Sequence, residues 1–458
     1  MKTALNTFLT RTAFGGVLLA VSSHTVSAES LSDALVKAYN TNPTLLSSRA
    51  TLRATDEGMA QAVSGWRPSF SATGTASAKD FESTNDPKGY STEPRSLTLN
   101  VSQSLFAGGT TMAAMSAAEN AVQAQRARLT SAEQTVLLSA ATAYMNVFRD
   151  QSVVDLNIKN EQVLTRHLEA TRDRYEVGEI TRTDVHQAEA RLAGSNATRI
   201  QSEGTLETSR ANYVNVVGEA PGKLEASILD LNLPVSLDEA LAISKVNNPT
   251  VIAAIFDEKG SKDDVDSAQG SLLPTIDLSG SANRSLDTST SYTSSNSLEA
   301  KVTLSVPLYQ SGSVYSQLRQ ARQTASASRL ALMQSRRDAT ELVRTEWQGL
   351  QTIRARIDSI KTQVRAAKTA LEGVQREASV GSRTVLDVLD AEQELLDAQV
   401  NLVTSQRDET VSALTLLSAT GQLTAADLKL SVDLYDADRH YQDVRGKWFG
   451  GSVAGNQN

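Results

Sequence analysis

Apolar and polar residues alternate along residues 298–308: Leu298, Ala300, Val302, Leu304, Val306 and Leu308 fall on one side, Glu299, Lys301, Thr303 and Ser305 on the other. A period of two over this length predicts a strand with one apolar and one wet face. Similar runs predict strands at about 68–80, 97–106 and 274–286. Pro68 and Pro274 stand at two strand starts, where a missing N–H does least harm to a ladder. The polar, turn-rich runs 81–94 and 287–297 read as solvent-exposed loops joining the strand pairs.

Elsewhere the period is helical. After Gly109 and Gly312 come the proline-free stretches 110–176 and 313–379, each a rod of ~100 Å at the usual rise per residue. Glycine turns at Gly178 and Gly381 lead into return helices 183–216 and 386–420, about half as long. The remaining height falls to 44–64 and 250–270, stacked end to end on the returning helices. Ser30 with Asp33, and Ser236 with Glu239, predict capping boxes ahead of short helices that Pro43 and Pro249 interrupt. In the first rod Met112, Met115, Val122, Leu129, Val136, Ala143 and Val147 recur at heptad-like spacing among small and polar residues. Such a rod packs closely on one side and meets water on the other.

The chain is two copies of one unit. Leu31-Ser32-Asp33-Ala34-Leu35 matches Leu237-Asp238-Glu239-Ala240-Leu241, and in the same register Asn42-Pro43 meets Asn248-Pro249, Pro68 meets Pro274 and Gly74 meets Gly280. After the first polar run the register shifts by three residues and then holds: Gly109 meets Gly312, Tyr144 meets Trp347, Gly178 meets Gly381, Asp184 meets Asp387 and Gly218 meets Gly421. Shared proline and glycine punctuation over such lengths marks duplication. The units run 29–234 and 235–434, with a tail at 435–458 that lacks strand alternation and is expected either around the middle of the structure or partly disordered.

Composition narrows the function classes. The chain has 458 residues, a formal net charge of -8, 5% aromatic residues and no cysteine. The charge balance argues against nucleic acid, and the missing cysteine excludes disulfides, thiolate metal sites and a lipidated N-terminal cysteine. Lys2 and Arg11, the apolar run 13–21 and Val26-Ser27-Ala28 read as a signal peptide over 1–28. No later stretch is apolar enough for a transmembrane helix, so a membrane could be entered only by strands of a closed barrel. Four strands per chain are too few to close one, since about eight is the smallest number known. Several chains must then share it.

Residues 177–192, VGEITRTDVHQAEARL, and 380–395, VGSRTVLDVLDAEQEL, are identical at eight of sixteen positions. The pair resembles the duplicated helical-tip motif of the TolC-like outer-membrane channel proteins. Asn42-Pro43, Asn248-Pro249, SLFAGG at 104–109, PLYQSG at 307–312 and TGQLTAADL at 420–428 agree with that resemblance. It implies a mostly α fold with membrane β: a homotrimer whose twelve strands form a barrel in the outer membrane of a Gram-negative bacterium, continuous with a long α-helical barrel in the periplasm. It implies an exit duct for drug efflux or type I protein secretion, in contact with outer-membrane lipid and partnered by a periplasmic adaptor and an inner-membrane pump or ABC transporter. Val177, Gly178, Val380 and Gly381 are then the adaptor-contact tips. Thr183, Asp184, Arg383, Asp387 and Asp390 form a periplasmic gate, with Arg383 contacting a neighbouring hairpin near Thr183 and Asp184. Asp387 and Asp390 would repeat around the axis as acidic rings. Helix N-termini alone would also favour Asp184 and Asp387. The second tip carries Ala378 where many members have an aromatic residue, whereas the first keeps Tyr175.

No enzyme, cofactor or metal is expected. No nucleophile elbow or phosphate-binding loop is present. His167, His186 and His440 lack metal-ligand spacing and read as solvated helix residues. The rival classes are a periplasmic adaptor and a structural coiled-coil protein of an envelope-spanning complex. An adaptor normally has one hairpin and an inner-membrane anchor, and a coiled coil leaves the paired strands unexplained.

Overall fold

The computed structural model describes residues 29–83, 86–225, 231–287 and 294–452. The signal-peptide reading of 1–28, most of the second polar run and the last six residues of the tail lie outside them.

Two short helices in series open each copy. In α1 (Leu31–Thr41), Ser30 Oγ accepts the Asp33 N–H at 3.2 Å while Asp33 accepts the Ser30 N–H at 3.1 Å, a complete capping box. Asn42 ends α1 and its side chain caps α2 (Pro43–Ser64), with Pro43 in the first turn, where its missing N–H costs nothing. In the second copy Ser236 accepts the Glu239 N–H, but the Glu239 carboxylate reaches past it to Val235 N, so the expected box is only half made.

The strands β1 (Ser69–Ala76), β4 (Arg95–Ala107), β5 (Thr275–Leu286) and β6 (Ser294–Ser305) form one antiparallel sheet in the order β1-β4-β5-β6. Residues in register share a face, so the pairing sorts the sheet chemically. Phe70, Val101, Gly280 and Ala300 make one row and Ala72, Leu99, Ala282 and Leu298 another; between them run Ser71, Asn100, Ser281 and Glu299 on the opposite face. One face is apolar and unpacked, with Phe70 75% and Leu298 87% exposed. The outer edges of β1 and β6 have no partner among the described residues.

Two strand expectations need correction. The first strand stops at Ala76, and the run read as a loop holds a separate hairpin, β2 (Lys79–Ser83) with β3 (Asp86–Thr92), in which Phe81 and Tyr90 pair and stack with ring centres 5.1 Å apart. Its polarity hid it, because cross-strand pairing can be carried by one aromatic pair. The last strand ends at Ser305, short of 308; Pro307 has no N–H to extend the ladder.

The long helices are α3 (Thr110–Glu176) and α7 (Ser313–Ser379), and the return helices are α4 (Arg182–Val217) and α8 (Val385–Thr420). The remaining helices α5 (Leu237–Asn247) and α6 (Pro249–Gly270) repeat α1 and α2. The largest core gathers Leu35, Leu45, Leu137, Tyr144, Tyr213 and Leu414 where α1 meets α3 and α4, and small residues such as Ala140 and Ala143 let the helices close up. Glu29 is buried beside it, accepting from Gly222 N at 3.0 Å, Tyr213 Oη at 2.9 Å and Lys37 Nζ at 3.0 Å. Burial pushes its carboxyl up, but these donors, led by Gly222, outweigh burial and hold it below the ordinary carboxylate range. Burial pushes the Tyr144 hydroxyl up to about 12.

The tail corrects a third expectation. It leaves the middle of the structure, where Tyr435 N donates to Tyr39 Oη, and climbs along α2 through a short helix, α9 (Arg439–Arg445), to the sheet end, where Arg67 donates to Lys447 O. Tyr441 is buried against Met59 and Val122 and its hydroxyl donates to Glu119. His440, expected to be solvated, is instead half-buried and sits 3.0 Å from the buried Asp56 carboxylate. Desolvation raises the Asp56 carboxyl despite that partner.

Candidate functional site

The candidate site is the pair of hairpin tips, where α3 turns into α4 and α7 into α8. Each rod ends by a Schellman-type closure: Glu179 N donates to Arg174 O at 2.9 Å in the first tip, and Ser382 N to Glu377 O at 3.0 Å in the second. Gly178 and Gly381 take the left-handed conformation this requires, with φ of 81° and 79°. The residues just before them, Val177 and Val380, are exposed apolar side chains at the extreme of each hairpin.

The return helices start alike. Thr181 N and Oγ1 donate to Asp184 Oδ2 at 2.9 and 2.7 Å, and Thr384 N and Oγ1 to Asp387 Oδ2 at 2.9 and 2.8 Å. Hydrogen bonds from Thr384, the backbone N–H first, hold the Asp387 carboxyl below its usual range. Both aspartates therefore brace the N-terminus of their own helix, a role that leaves one carboxylate oxygen of each outside the cap.

Charge distinguishes the tips. Arg383 donates to Glu377 at 2.9 Å, and its guanidinium lies 4.0 Å from Asp387, so in a single chain it is held within its own hairpin. These carboxylates, Glu377 above all, raise its pKa further. Asp390 is brought to the other hairpin: Arg191 of α4 donates to it at 2.5 Å. Thr183 lies in the first turn of α4, exposed. The structure thus brings Arg383 to Asp387 and Asp390 to Arg191, and within one chain it brings Arg383 to neither Thr183 nor Asp184. Sequence reading missed Glu377 and Arg191. Glu377 could have been found by folding the glycine turn back on itself; Arg191, 199 residues from Asp390, carries no local signal.

Just behind the tips, a polar cavity of about 350 Å³ separates the hairpins, lined among others by Asn157, Asn160, Arg191, Ser195, Glu392 and Gln393. Among the described residues no group of three His, Asp or Glu side chains could hold a metal ion, and no helix is long and apolar enough to cross a membrane.

Comparison with known proteins places this geometry in a family. The model of the outer membrane efflux protein family matches residues 34–219 and 240–422, one match per repeat. The chain is 35% identical over 430 residues to the outer membrane efflux protein BepC of Brucella suis, covering 92% of each. It is 28% identical over 436 residues to the outer membrane protein TolC of Escherichia coli, covering 90% of this chain and 86% of that one. Among solved structures the CmeC outer membrane channel of Campylobacter jejuni has the same fold, with a TM-score of 0.79 at 14% identity over 97% of this chain and 98% of that one. The chain belongs to the outer membrane efflux protein family, a family of transport channels of the Gram-negative outer membrane rather than of enzymes.

Proposed function

From that membership we propose that the chain is one third of a homotrimeric exit duct. Three four-stranded sheets join edge to edge, β6 of one chain beside β1 of the next, into a twelve-stranded barrel in the outer membrane. The long and return helices form the periplasmic tunnel below it. The observation that carries this reading is the sheet itself: two free edges, one apolar face and one polar face. In water that apolar face and those edges are liabilities, whereas in a closed barrel lipid covers the one and strand pairing the other.

At the other end, Val177, Gly178, Val380 and Gly381 dock the periplasmic adaptor, through which an inner-membrane pump or ABC transporter delivers drugs or proteins. Arg383, Thr183, Asp184, Asp387 and Asp390 form the gate. Its resting contact is made when Arg383 exchanges its half-exposed intrachain partner Glu377 for Thr183 and Asp184 of a neighbouring hairpin, an exchange of like for like that costs little. Mass measurement of the protein extracted in detergent, with heat-modified mobility on gels, tests the assembly. A trimer that dissociates on heating is expected; a stable monomer with lipid-bound strands overturns the architecture.

A further inference from the structure

The tail ends beside the sheet in chemistry that the helical tunnel does not use. Arg67, just ahead of β1, donates Nη1–H to Lys447 O at 2.6 Å, and its guanidinium lies 4.7 Å from the Trp448 ring centre. Trp66, Gln103, Met115 and Arg445 complete the wall of a cavity of about 720 Å³ between the tail, α3 and the sheet. Gln103 is the register partner of Leu278, and Pro68 stands two residues before Phe70, so this cavity continues the apolar face of the sheet at its helix end. Trp448 is 58% and Phe449 87% exposed.

The tail is held there. Tyr441 is buried, His440 meets Asp56, and Asp438 pairs with Arg126 at 2.6 Å, so the aromatic pair is presented from a fixed support. Among the described residues Arg67, Arg445 and Lys447 are each without a carboxylate at salt-bridge distance, although Asp443 is exposed on α9. Exposed indole and phenyl rings are poorly matched to water, and the cations beside them have no carboxylate partner, although Lys447 Nζ donates to Ser452 O at 3.1 Å and the Arg445 guanidinium lies 5.8 Å from the Tyr441 ring centre. They match the boundary of a membrane, where amphipathic rings settle at headgroup level and cations meet lipid phosphates. A second copy would pair along the open strand edges, whereas this patch prolongs a face.

We propose that Arg67, Arg445 and Lys447, with Trp66, Trp448 and Phe449, form a seat for the phosphate headgroup of an inner-leaflet phospholipid, which fixes the periplasmic rim of the sheet at the membrane surface. Arginine suits this task because its planar fork binds phosphate oxygens in pairs. The inference rests on the reading of the apolar sheet face as lipid-facing, and its test separates the two.

The full-length protein, extracted from outer membranes, is reconstituted with phosphatidylglycerol brominated near the headgroup. With Trp66→Phe and Trp347→Phe, Trp448 is the one remaining tryptophan of the three; in a companion variant Trp448→Phe is added and Phe70→Trp reports from the sheet. Quenching of both probes is expected. Quenching at position 70 without quenching of Trp448 overturns the headgroup seat and leaves the barrel reading standing; no quenching of either overturns both. Separately, native mass spectrometry of Arg67→Gln, Arg445→Gln and Lys447→Gln combined should show less retained phosphatidylglycerol, by roughly fivefold for each cation neutralised, with heat-modified mobility unchanged. Retention equal to the parent protein, or displacement of the lipid by excess inorganic phosphate, overturns the proposal, the latter by making the site one for a free anion.

Discussion

The two long helices have the same length, 67 residues, and the same place in their repeats, yet the chain treats them differently. Helix α3 lies among α2, α4, α6 and α8 and buries whole turns, with Leu137, Ala140, Ala141, Ala143 and Tyr144 all out of solvent. Helix α7 meets chiefly α5, α6 and α8. It buries a thin stripe through Val343, Leu350 and Ile357, while Leu330 stays 62% exposed and Met333, one turn on, is exposed as well. Duplication supplied equal rods, and position in the chain made one a core and the other a border. On the trimeric reading, the apolar residues left bare on the border are where a second chain would pack.

The strongest way to break that contrast is to truncate one leucine on each rod. Leu137→Ala opens a cavity in a closed core and should lower the unfolding free energy by about 2 to 5 kcal/mol, read as a fall in the denaturant midpoint and in trypsin resistance. Leu330→Ala should leave the trypsin-resistant chain as it is. If both cost the same in the dissociated chain, α7 is as deeply packed as α3 and the border reading fails. A second, smaller effect sharpens the role of the border. Leu330→Glu with Met333→Glu puts charge where a neighbour is expected, so the temperature at which the trimer dissociates on gels should fall while the trypsin-resistant core of each chain persists. An unchanged dissociation temperature would show that this side of α7 faces water in the assembly.

The contrast also separates what the sequence discloses from what it withholds. Punctuation is legible because it is local: Asn42-Pro43 stops one helix and caps the next with the same side chain, and Gly178 and Gly381 mark turns that no residue with a Cβ enters freely. The alternation in 298–305 is legible because a two-faced sheet requires it. The burial of His440 against Asp56, 384 residues away, is not. A lone histidine in a polar segment carries no trace of a distant carboxylate, and the tail has no counterpart in the first repeat to compare. The same holds at the tips: the caps of Asp184 and Asp387 follow from spacing, while the pairing of Asp390 with Arg191 depends on how two hairpins lie together.

Moving to the tips, where the repeats agree in backbone and differ in charge, the next expected effect is backbone strain. Gly178→Val and Gly381→Val each force a β-branched residue to positive φ, at about 1 to 2 kcal/mol per site. Neither glycine has a heavy atom within 4 Å of an added Cβ, so strain rather than collision is the cost. Both variants should assemble as trimers, and both should lose crosslinking to the periplasmic adaptor and with it drug resistance. Loss at Gly381 alone would assign docking to the second tip, and retention at both would remove the turns from the docking surface.

The smallest expected effect concerns the charges that only the second tip carries, Arg383 where the first copy has Ile180 and Asp390 where it has Gln187. Exposed ion pairs are weak, so a gate held by Arg383 is held lightly, and Arg383→Ser should raise single-channel conductance in planar bilayers whereas Ile180→Ser should not. Asp387→Ala combined with Asp390→Ala should lower cation selectivity and any block by multivalent cations. The pH dependence has a definite sign. Thr384 donates to the Asp387 carboxylate and depresses its pKa, so the cap is fully formed above the ordinary aspartate value and is lost only as pH falls through the lower folded value. Between about pH 5 and pH 8, well above the aspartate range, this cap does not change, and conductance governed by Arg383 and Asp387 should be flat. A wild-type channel that opens within that window is responding to some other group, and an Arg383→Ser channel with unchanged conductance and intact trimers leaves Arg383 as a brace for Glu377 in its own hairpin.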